Sequence, residues 1–331
     1  MRLNKYADAM RCLAIMSATS ALMLAAAPSF AVTLFVTSER DNTVTVLDAD
    51  TMAVKKVINV GTRPRGIAIT PDYREIFVCI GDDDRMDVID TKTLAVSRSV
   101  PNVLDPELVA IDPIGKRVYA ANEEDSQVTV IDRASGKIVG TVGVGAEPEG
   151  LSISPDLSTV VNTSELTSMA HFIDTKTLTI EDNVLVDQRP REAQYTHDGK
   201  QVWVSAEVGG TVSVIDAQKR TIIKKIEFDI QGVQPELIQP VGIVFSKDGK
   251  LAFVALSHAN RIAVVDTATL TPTSYILVGE RPWHMALDPD GSKLYVANGN
   301  TNDLTVIDVA SLKAVRSVNV GHLPWGVVAM P

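Results

Sequence analysis

Seven prolines recur along this chain, and their neighbours are the residues whose types could do chemistry. The segments around them read TRPRG, LDPEL, AEPEG, QRPRE, IQPVG, ERPWH and HLPWG, centred on Pro64, Pro106, Pro148, Pro190, Pro240, Pro282 and Pro324. Proline fixes its own φ angle and therefore presents the flanking side chains rigidly. Those side chains are mainly arginine, carboxylate and tryptophan, which suit recognition of a charged or aromatic group.

The charges beside these prolines are separated by sign. The second and third segments carry acidic side chains, and the first, fourth and sixth carry basic ones. The acidic residues are Asp105, Glu107, Glu147 and Glu149, and the basic residues are Arg63, Arg65, Arg189, Arg191 and Arg281. Trp283 and Trp325 follow the last two prolines, with His284 and His322 close to them in the sequence.

Three interpretations of this set remain open. The arginines and carboxylates could pair as a structural ion network, with the tryptophans as a plug. Alternatively, tryptophan faces for stacking and arginine forks for carboxylates could bind an aromatic or anionic molecule. Contact with a partner protein is the third interpretation, since tryptophan and arginine dominate protein interfaces. Neither Arg65 nor Trp325 belongs to an alternating core pattern, so we expect both outside the core.

The sequence contains none of the common catalytic or metal-binding motifs. It has no C-x-x-C-H, H-E-x-x-H or G-x-S-x-G motif and no phosphate-binding glycine loop. His258, His284 and His322 could approach one another, but their spacing matches no metal motif. We therefore assign no catalytic residue and no metal ligand, and expect a non-catalytic protein.

The rest of the chain is built from repeats that must position the proline segments. Similar segments begin near residues 34, 76, 118, 160, 202, 252 and 294, spaced 42 residues apart except for one spacing of 50. Apolar and polar residues alternate within each repeat, and β-branched types are frequent, which predicts four short strands. Seven such repeats predict an all-β fold, a seven-bladed β-propeller of four-stranded blades around a channel.

The two ends of the chain predict how the ring closes. Residues 34–60 correspond to the three outer strands of a blade, and residues 326–330 to its innermost strand. Closure of this kind protects the sheet edges. Residues 32–331 are therefore expected to form a single propeller domain, in which Arg63 and Arg65 come close to the tryptophans.

Residues 1–31 have the pattern of a cleavable signal peptide. A basic start is followed by a charge-free apolar stretch at residues 12–27, and Ser29 and Ala31 are small residues at the cleavage site. The stretch is shorter than the about 20 residues that span a bilayer, so we expect export to the periplasm and no membrane-spanning segment. The net charge of -10 argues against nucleic acid as a partner.

The recurring pattern LYVAN-x-N-x-x-x-LTVID, with VNVG-x-x-PWG and DPDG, resembles the YVTN-type β-propeller repeat over residues 34–331. With its signal peptide, the chain is similar to the periplasmic propeller proteins associated with catabolism of alcohols that depends on pyrroloquinoline quinone (PQQ). This resemblance implies a binding protein that works beside a quinoprotein dehydrogenase or a transport component. It implies no required cofactor and no catalytic residue, with PQQ, an anionic aromatic molecule, as a candidate ligand.

Two other functions stay open at this point. A propeller hydrolase of the lactonase kind would use a histidine or carboxylate as general base, and a purely structural scaffold would hold a dehydrogenase or transport assembly. An insertion at residues 229–239 lengthens one loop and could act as a lid or be a length variant. The candidate binding residues are Arg63, Arg65, Arg189, Arg191, Arg281, Trp283, His284, His322 and Trp325.

Overall fold

The computed structural model describes residues 32–331, and in this range the chain forms seven antiparallel sheets of four strands each. This confirms the seven-bladed β-propeller that the repeats predict. The predicted signal peptide, residues 1–31, lies outside the described residues. Within residues 32–331, no helix has the length and apolar character needed to cross a bilayer.

The strands follow the chain in blade order, beginning with the three outer strands of the closing blade. These are β1 (Thr33–Ser38), β2 (Thr43–Asp48) and β3 (Val54–Asn59). Blades one to three comprise β4 (Pro64–Ile69), β5 (Glu75–Ile80), β6 (Arg85–Asp90), β7 (Ala95–Pro101), β8 (Pro106–Ile111), β9 (Arg117–Asn122), β10 (Gln127–Asp132), β11 (Lys137–Gly143), β12 (Pro148–Ile153), β13 (Thr159–Ser164), β14 (Met169–Asp174) and β15 (Thr179–Leu185). Blades four to six comprise β16 (Pro190–Tyr195), β17 (Gln201–Ala206), β18 (Thr211–Asp216), β19 (Thr221–Glu227), β20 (Pro240–Phe245), β21 (Leu251–Leu256), β22 (Arg261–Asp266), β23 (Thr271–Leu277), β24 (Pro282–Leu287), β25 (Lys293–Asn298), β26 (Asp303–Asp308) and β27 (Lys313–Asn319). The chain ends with β28 (Pro324–Met330), and short 3₁₀ turns occur at Gly81–Asp83 and Pro235–Leu237.

The hydrophobic core lies between neighbouring blades. Each sheet buries the middle strands on both faces, as in the pattern of β17, because a blade is covered on either side by another blade. Between blades four and five, the fully buried Trp203 packs edge to face on Phe245, with ring centroids 5.2 Å apart. The position of Trp203 in the core agrees with its place in the repeat pattern.

The aspartates that end the second strand of each repeat have a structural role. The Oδ1 atom of Asp48 accepts hydrogen bonds from the backbone N–H and the hydroxyl of Thr51, both at 2.9 Å. Asp90 bonds Thr93 in the same way. These bonds close the following turn, as expected for aspartate at this place.

The two ends of the chain share the closing blade, as predicted. Strand β28 pairs antiparallel with β1, with Phe35 opposite Val328. The backbone N–H of Gly326 donates to Oγ1 of Thr37 at 2.9 Å. The observed strand begins at Pro324, two residues before the predicted start, so all seven inner strands begin at a proline.

The insertion at residues 229–239 is packed against the propeller. Ile230 and Ile238 are buried and join the cluster around Trp203. The backbone N–H of Asp229 donates to the hydroxyl of Tyr275 at 3.1 Å. Apolar contacts therefore anchor the insertion near both of its ends.

Candidate functional site

The mouth is the end of the channel that is bordered by the residues flanking the seven prolines. In six of the seven loops, the residue before proline has a left-handed φ between 37° and 61°, namely Arg63, Asp105, Glu147, Arg189, Arg281 and Leu323. This conformation is uncommon for residues other than glycine. The N–H groups of Arg63 and Arg281 each donate to an asparagine side chain at 3.1 Å. These bonds help to fix the backbone on which the mouth residues are mounted.

Arg191 is the centre of a buried ion cluster. Its guanidinium contacts carboxylates of Glu149, Glu165 and Glu207, the last at 2.7 Å from Nε. The three glutamate side chains are at most 5% exposed and that of Arg191 is 10% exposed. Arg189 reaches the same cluster, with Nε 2.7 Å from Glu165. Breaking such a buried cluster leaves charges without partners, which is costly.

The buried carboxyl groups of this cluster shift one another's pKa values. Burial and the neighbouring Glu149 raise the pKa of Glu165 well above its usual range. Although burial opposes the change, the charge of Arg191 lowers the pKa of Glu149 to about 2. The two neighbouring carboxyl groups therefore differ in their affinity for protons.

Arg63 and Arg65 form a second ion cluster on blades one and two. Arg63 contacts Asp82 at 2.6 Å, Glu107 at 3.0 Å and also Asp105. Arg65 contacts Glu107 at 2.5 Å, and Glu107 is only 1% exposed. The structural ion network, one of the three interpretations of the sequence, therefore describes four of the five arginines at the mouth.

Glu123 gives this second cluster a pH dependence. Its carboxylate lies within 4.8 Å of those of Asp105 and Glu107, and burial followed by the bond to Glu107 raises the pKa of Glu123 from 4.5 to about 7. The folded protein then binds more protons than the unfolded chain between these values, so its stability falls as the pH rises through this window. We expect Glu123→Gln to be more stable than wild type at pH 8 by about 1 kcal/mol, after allowance for solvent screening.

Thermal unfolding at a series of pH values checks this expectation. The difference between Glu123→Gln and wild type should vanish below pH 4.5, because the glutamate is then protonated in both states. Glu124→Gln is the control, since Glu124 is adjacent and exposed. A difference that stays constant with pH would contradict the raised pKa.

Arg281 differs from the other four arginines of the mouth. Among residues 32–331 no carboxylate lies within ion-pairing distance of it, and its Nη1 instead donates to Nε2 of His258 at 2.9 Å. The guanidinium carbon lies 4.5 Å from the ring centre of Trp283, which is half-buried. Gly299 makes room for this indole, because a Cβ there would come within 2.9 Å of its Nε1.

The remaining candidate binding residues, His284, His322 and Trp325, have different surroundings. His322 is exposed and its Nδ1 lies 2.8 Å from Asp41, whereas Nδ1 of His284 lies 3.3 Å from Glu192. His258 is hydrogen-bonded to Arg281. The three histidines therefore do not share a site among the described residues. The expectation that Trp325 lies outside the core is wrong: it is 3% exposed, because it packs between His284, at 4.1 Å, and Trp283, at 6.2 Å between ring centroids.

Glu192 is a channel residue that the sequence analysis missed. It is the second residue after its proline, where the seven segments carry Gly66, Leu108, Gly150, Glu192, Gly242, His284 and Gly326. A Cβ at Gly242 would lie 2.5 Å from the carbonyl oxygen of Trp283, so glycine lets neighbouring inner strands approach. The larger residues on either side, Glu192 and His284, meet across this gap. The alternation of glycine with larger residues at this position is the sequence feature that marks Glu192 and His284 as channel residues.

Two family models match the chain. A YNCE-like β-propeller model matches residues 6–124, and a choice-of-anchor I domain model matches residues 107–295, more than half of the chain. The chain belongs to the choice-of-anchor I domain family. No curated protein matches the chain.

Solved structures share the fold of this chain at low sequence identity. Hydrazine synthase of Kuenenia stuttgartiensis is 23% identical, with a TM-score of 0.77 over 84% of this chain and 92% of that chain. The periplasmic gluconolactonase of Pseudomonas aeruginosa is 19% identical, with a TM-score of 0.76 over 91% and 99%. A putative 6-phosphogluconolactonase of Bacteroides fragilis is 16% identical, with a TM-score of 0.75 over 92% and 99%. These likenesses show the fold alone, since one propeller fold hosts unrelated functions.

Proposed function

We propose that this protein is a non-catalytic periplasmic binding protein. It takes a planar anionic molecule, with PQQ as the ligand, at the part of the mouth formed by Arg281, Trp283 and His258. The observation that carries the proposal is the guanidinium of Arg281, which lies over an indole ring and has no carboxylate partner among residues 32–331.

Charge distribution favours this place over the rest of the mouth. Arg63, Arg65, Arg189 and Arg191 are each bound to carboxylates, so their charge is already neutralised. A ligand carboxylate could pair with Arg281 without displacing a protein carboxylate, and charge-assisted bonds of this type are strong. The half-buried Trp283 brings an aromatic side chain to the same place, with the guanidinium carbons of Arg281 and Arg191 at 4.5 Å and 5.5 Å from its ring centre.

The biological setting of the proposal rests on the sequence. The pattern of residues 1–31 supports export, and the resemblance to YVTN-type repeats supports a role in PQQ-dependent alcohol catabolism, beside a quinoprotein dehydrogenase or a transport component. The hydrolase alternative has weaker support, because the two lactonase-named structures are under 20% identical. A scaffold role would not explain why Arg281, among residues 32–331, has no carboxylate partner.

The proposal predicts that Arg281→Gln weakens PQQ binding. Loss of a charge-assisted bond from a partly buried place costs about 1.5–3 kcal/mol, which corresponds to roughly a 10- to 150-fold weaker affinity. Quenching of tryptophan fluorescence during titration with PQQ measures this change. Arg316→Gln is the matched control, because Arg316 is exposed on the outer strand β27.

Removal of the ring provides an independent test. Trp283→Leu should weaken binding by loss of the stacked face while leaving Arg281 charged. Equal affinity of wild type and both variants would place any PQQ site away from this part of the mouth.

A further inference from the structure

Two exposed apolar side chains lie in corresponding turns at the mouth of blades three and four. Leu166 is 70% exposed and follows β13, and Val208 is 57% exposed and follows β17. Both turns lie at the mouth, since the strand before each turn ends opposite a mouth proline, as Ser164 does opposite Pro148. In the other five blades the same position carries a polar or charged residue, namely Arg40, Asp82, Glu124, His258 and Asn300. The two apolar side chains therefore interrupt a polar rim.

Leu166 and Val208 border the same surface cavity, which has a volume of about 300 Å³. Glu147 and Arg189 also line it. The guanidinium of Arg189 is bound to Glu165. Glu147 is half-buried, and among residues 32–331 no basic side chain lies within ion-pairing distance of it. The cavity thus combines apolar walls with a carboxylate that has no cationic partner in the described part of the chain.

The insertion at residues 229–239 extends the apolar surface towards blade five. Leu237, on the insertion, is 41% exposed. The insertion lies beside the turn that carries Val208, because a Cβ at Gly210 would be 3.4 Å from the carbonyl oxygen of Ile238. Exposed apolar residues that lie close together on a soluble protein are typical of an interaction site.

The charge on this side of the propeller favours a basic partner. The corresponding turns of blades one and two carry exposed carboxylates, at Asp82, Asp84, Glu124 and Asp125. The whole chain has a formal net charge of -10. Complementary charge steers a partner to its surface and excludes partners of the same sign. An acidic rim beside an apolar surface therefore fits a protein segment that carries both basic and apolar residues.

We propose that Leu166, Val208 and Leu237, together with Glu147, form a docking surface for a basic segment of a partner protein. A lysine or arginine of that segment enters the cavity, with its aliphatic stem between Leu166 and Val208 and its charge beside Glu147. These two residue types combine an apolar stem with a charged end, as the cavity requires. The proposal goes beyond PQQ binding and does not depend on it, since the surface shares no residue with the place proposed for PQQ.

Titration with a peptide in which lysine alternates with leucine and serine tests the surface. Methyl NMR of labelled leucine and valine side chains gives both the location and the affinity of binding. The methyl signals of Leu166 and Val208 should shift, whereas those of Val315, which is 60% exposed on β27, should not. A peptide with glutamate in place of lysine should bind at least about tenfold more weakly, because the rim is acidic.

Substitutions separate the apolar part of the surface from the charged part. Leu166→Asn combined with Val208→Asn should weaken binding of the lysine peptide by about tenfold or more, because the apolar area is lost. Val315→Asn is the matched control and should bind as wild type does. Glu147→Gln should weaken binding by about fivefold and reduce its dependence on salt. Thermal melting of each variant checks that the fold is retained.

Several results would overturn the proposal. These are absence of shifts at Leu166 and Val208, equal binding of the glutamate peptide, and wild-type affinity of the double variant. Binding to phosphatidylglycerol vesicles, or self-association in sedimentation, that is lost in the double variant would show that a membrane or a second copy covers the surface instead. Arg281→Gln should bind the lysine peptide as wild type does, so failure of the PQQ proposal and failure of this one can be told apart.

Discussion

Deletion of residues 324–331 is expected to abolish cooperative folding of the propeller. The deletion removes β28, which is the inner strand of the closing blade and the pairing partner of β1. It also removes Trp325 and Val327, both buried, and exposes two sheet edges that the closed ring protects. Loss of one large buried side chain alone costs about 3–5 kcal/mol, so loss of the whole strand should exceed the usual stability of a domain. Circular dichroism and calorimetric melting measure the effect.

The control for this deletion is removal of Pro331 alone, since that residue follows the last strand and is exposed. We expect the shorter deletion to melt as wild type does, and the longer one to aggregate or to melt without a cooperative transition. A cooperative transition within a few degrees of wild type after loss of residues 324–331 would contradict the shared closing blade.

Arg191→Met is expected to have the next largest effect on stability. The substitution keeps an apolar stem of similar length but leaves Glu149 and Glu207 buried without this guanidinium. Breaking a buried ion cluster in this way costs about 3–5 kcal/mol, which for a chain of this size lowers the Tm by roughly 10 °C. The uncompensated carboxylates should take up protons, so the deficit should shrink as the pH falls towards 4. Thermal unfolding at several pH values measures both features.

A triple variant separates loss of charge balance from loss of packing. Combining Arg191→Met with Glu149→Gln and Glu207→Gln removes the unpaired charges, and it should recover part of the lost stability at neutral pH. Arg316→Met, on the exposed face of β27, should cost little. A deficit of the same size at pH 4 and pH 8 would show that the role of Arg191 is packing rather than charge pairing.

The fold could be predicted from the sequence almost completely, because it depends on features that repeat. The spacing of 42 residues, the alternation within each repeat and the incomplete repeats at the two ends were enough to predict seven blades and their closure. The start of β28 was predicted two residues late. That difference is small, since the seven prolines are in register and each begins an inner strand.

The pairing of side chains at the mouth could be predicted only in part. The segregated charges of the proline segments indicated an ion network, but Glu165 and Glu207 come from outside those segments. They directly follow β13 and β17, and only the three-dimensional arrangement brings them to Arg191. These distant carboxylates determine which arginine has no carboxylate partner among residues 32–331. The sequence therefore did not distinguish Arg281 from the other four arginines.

The position of Glu192 is also marked in the repeats. The residues directly before and after each proline carry most of the charges, whereas the second residue after proline carries the channel-lining pair. Glycine at alternate blades leaves space there for Glu192 and His284 to meet. Residues that interrupt a small-residue pattern therefore mark this channel better than residues that carry a charge.

Calorimetric titration of PQQ into wild type at low and high ionic strength tests the central claim most directly. If the carboxylates of PQQ pair with Arg281 over Trp283, heat should be released at low ionic strength, and the affinity should fall as salt screens the charge. The stacking contribution should persist at high salt, so binding should weaken without being abolished. Absence of any heat of binding at millimolar PQQ and low ionic strength would contradict the proposed function.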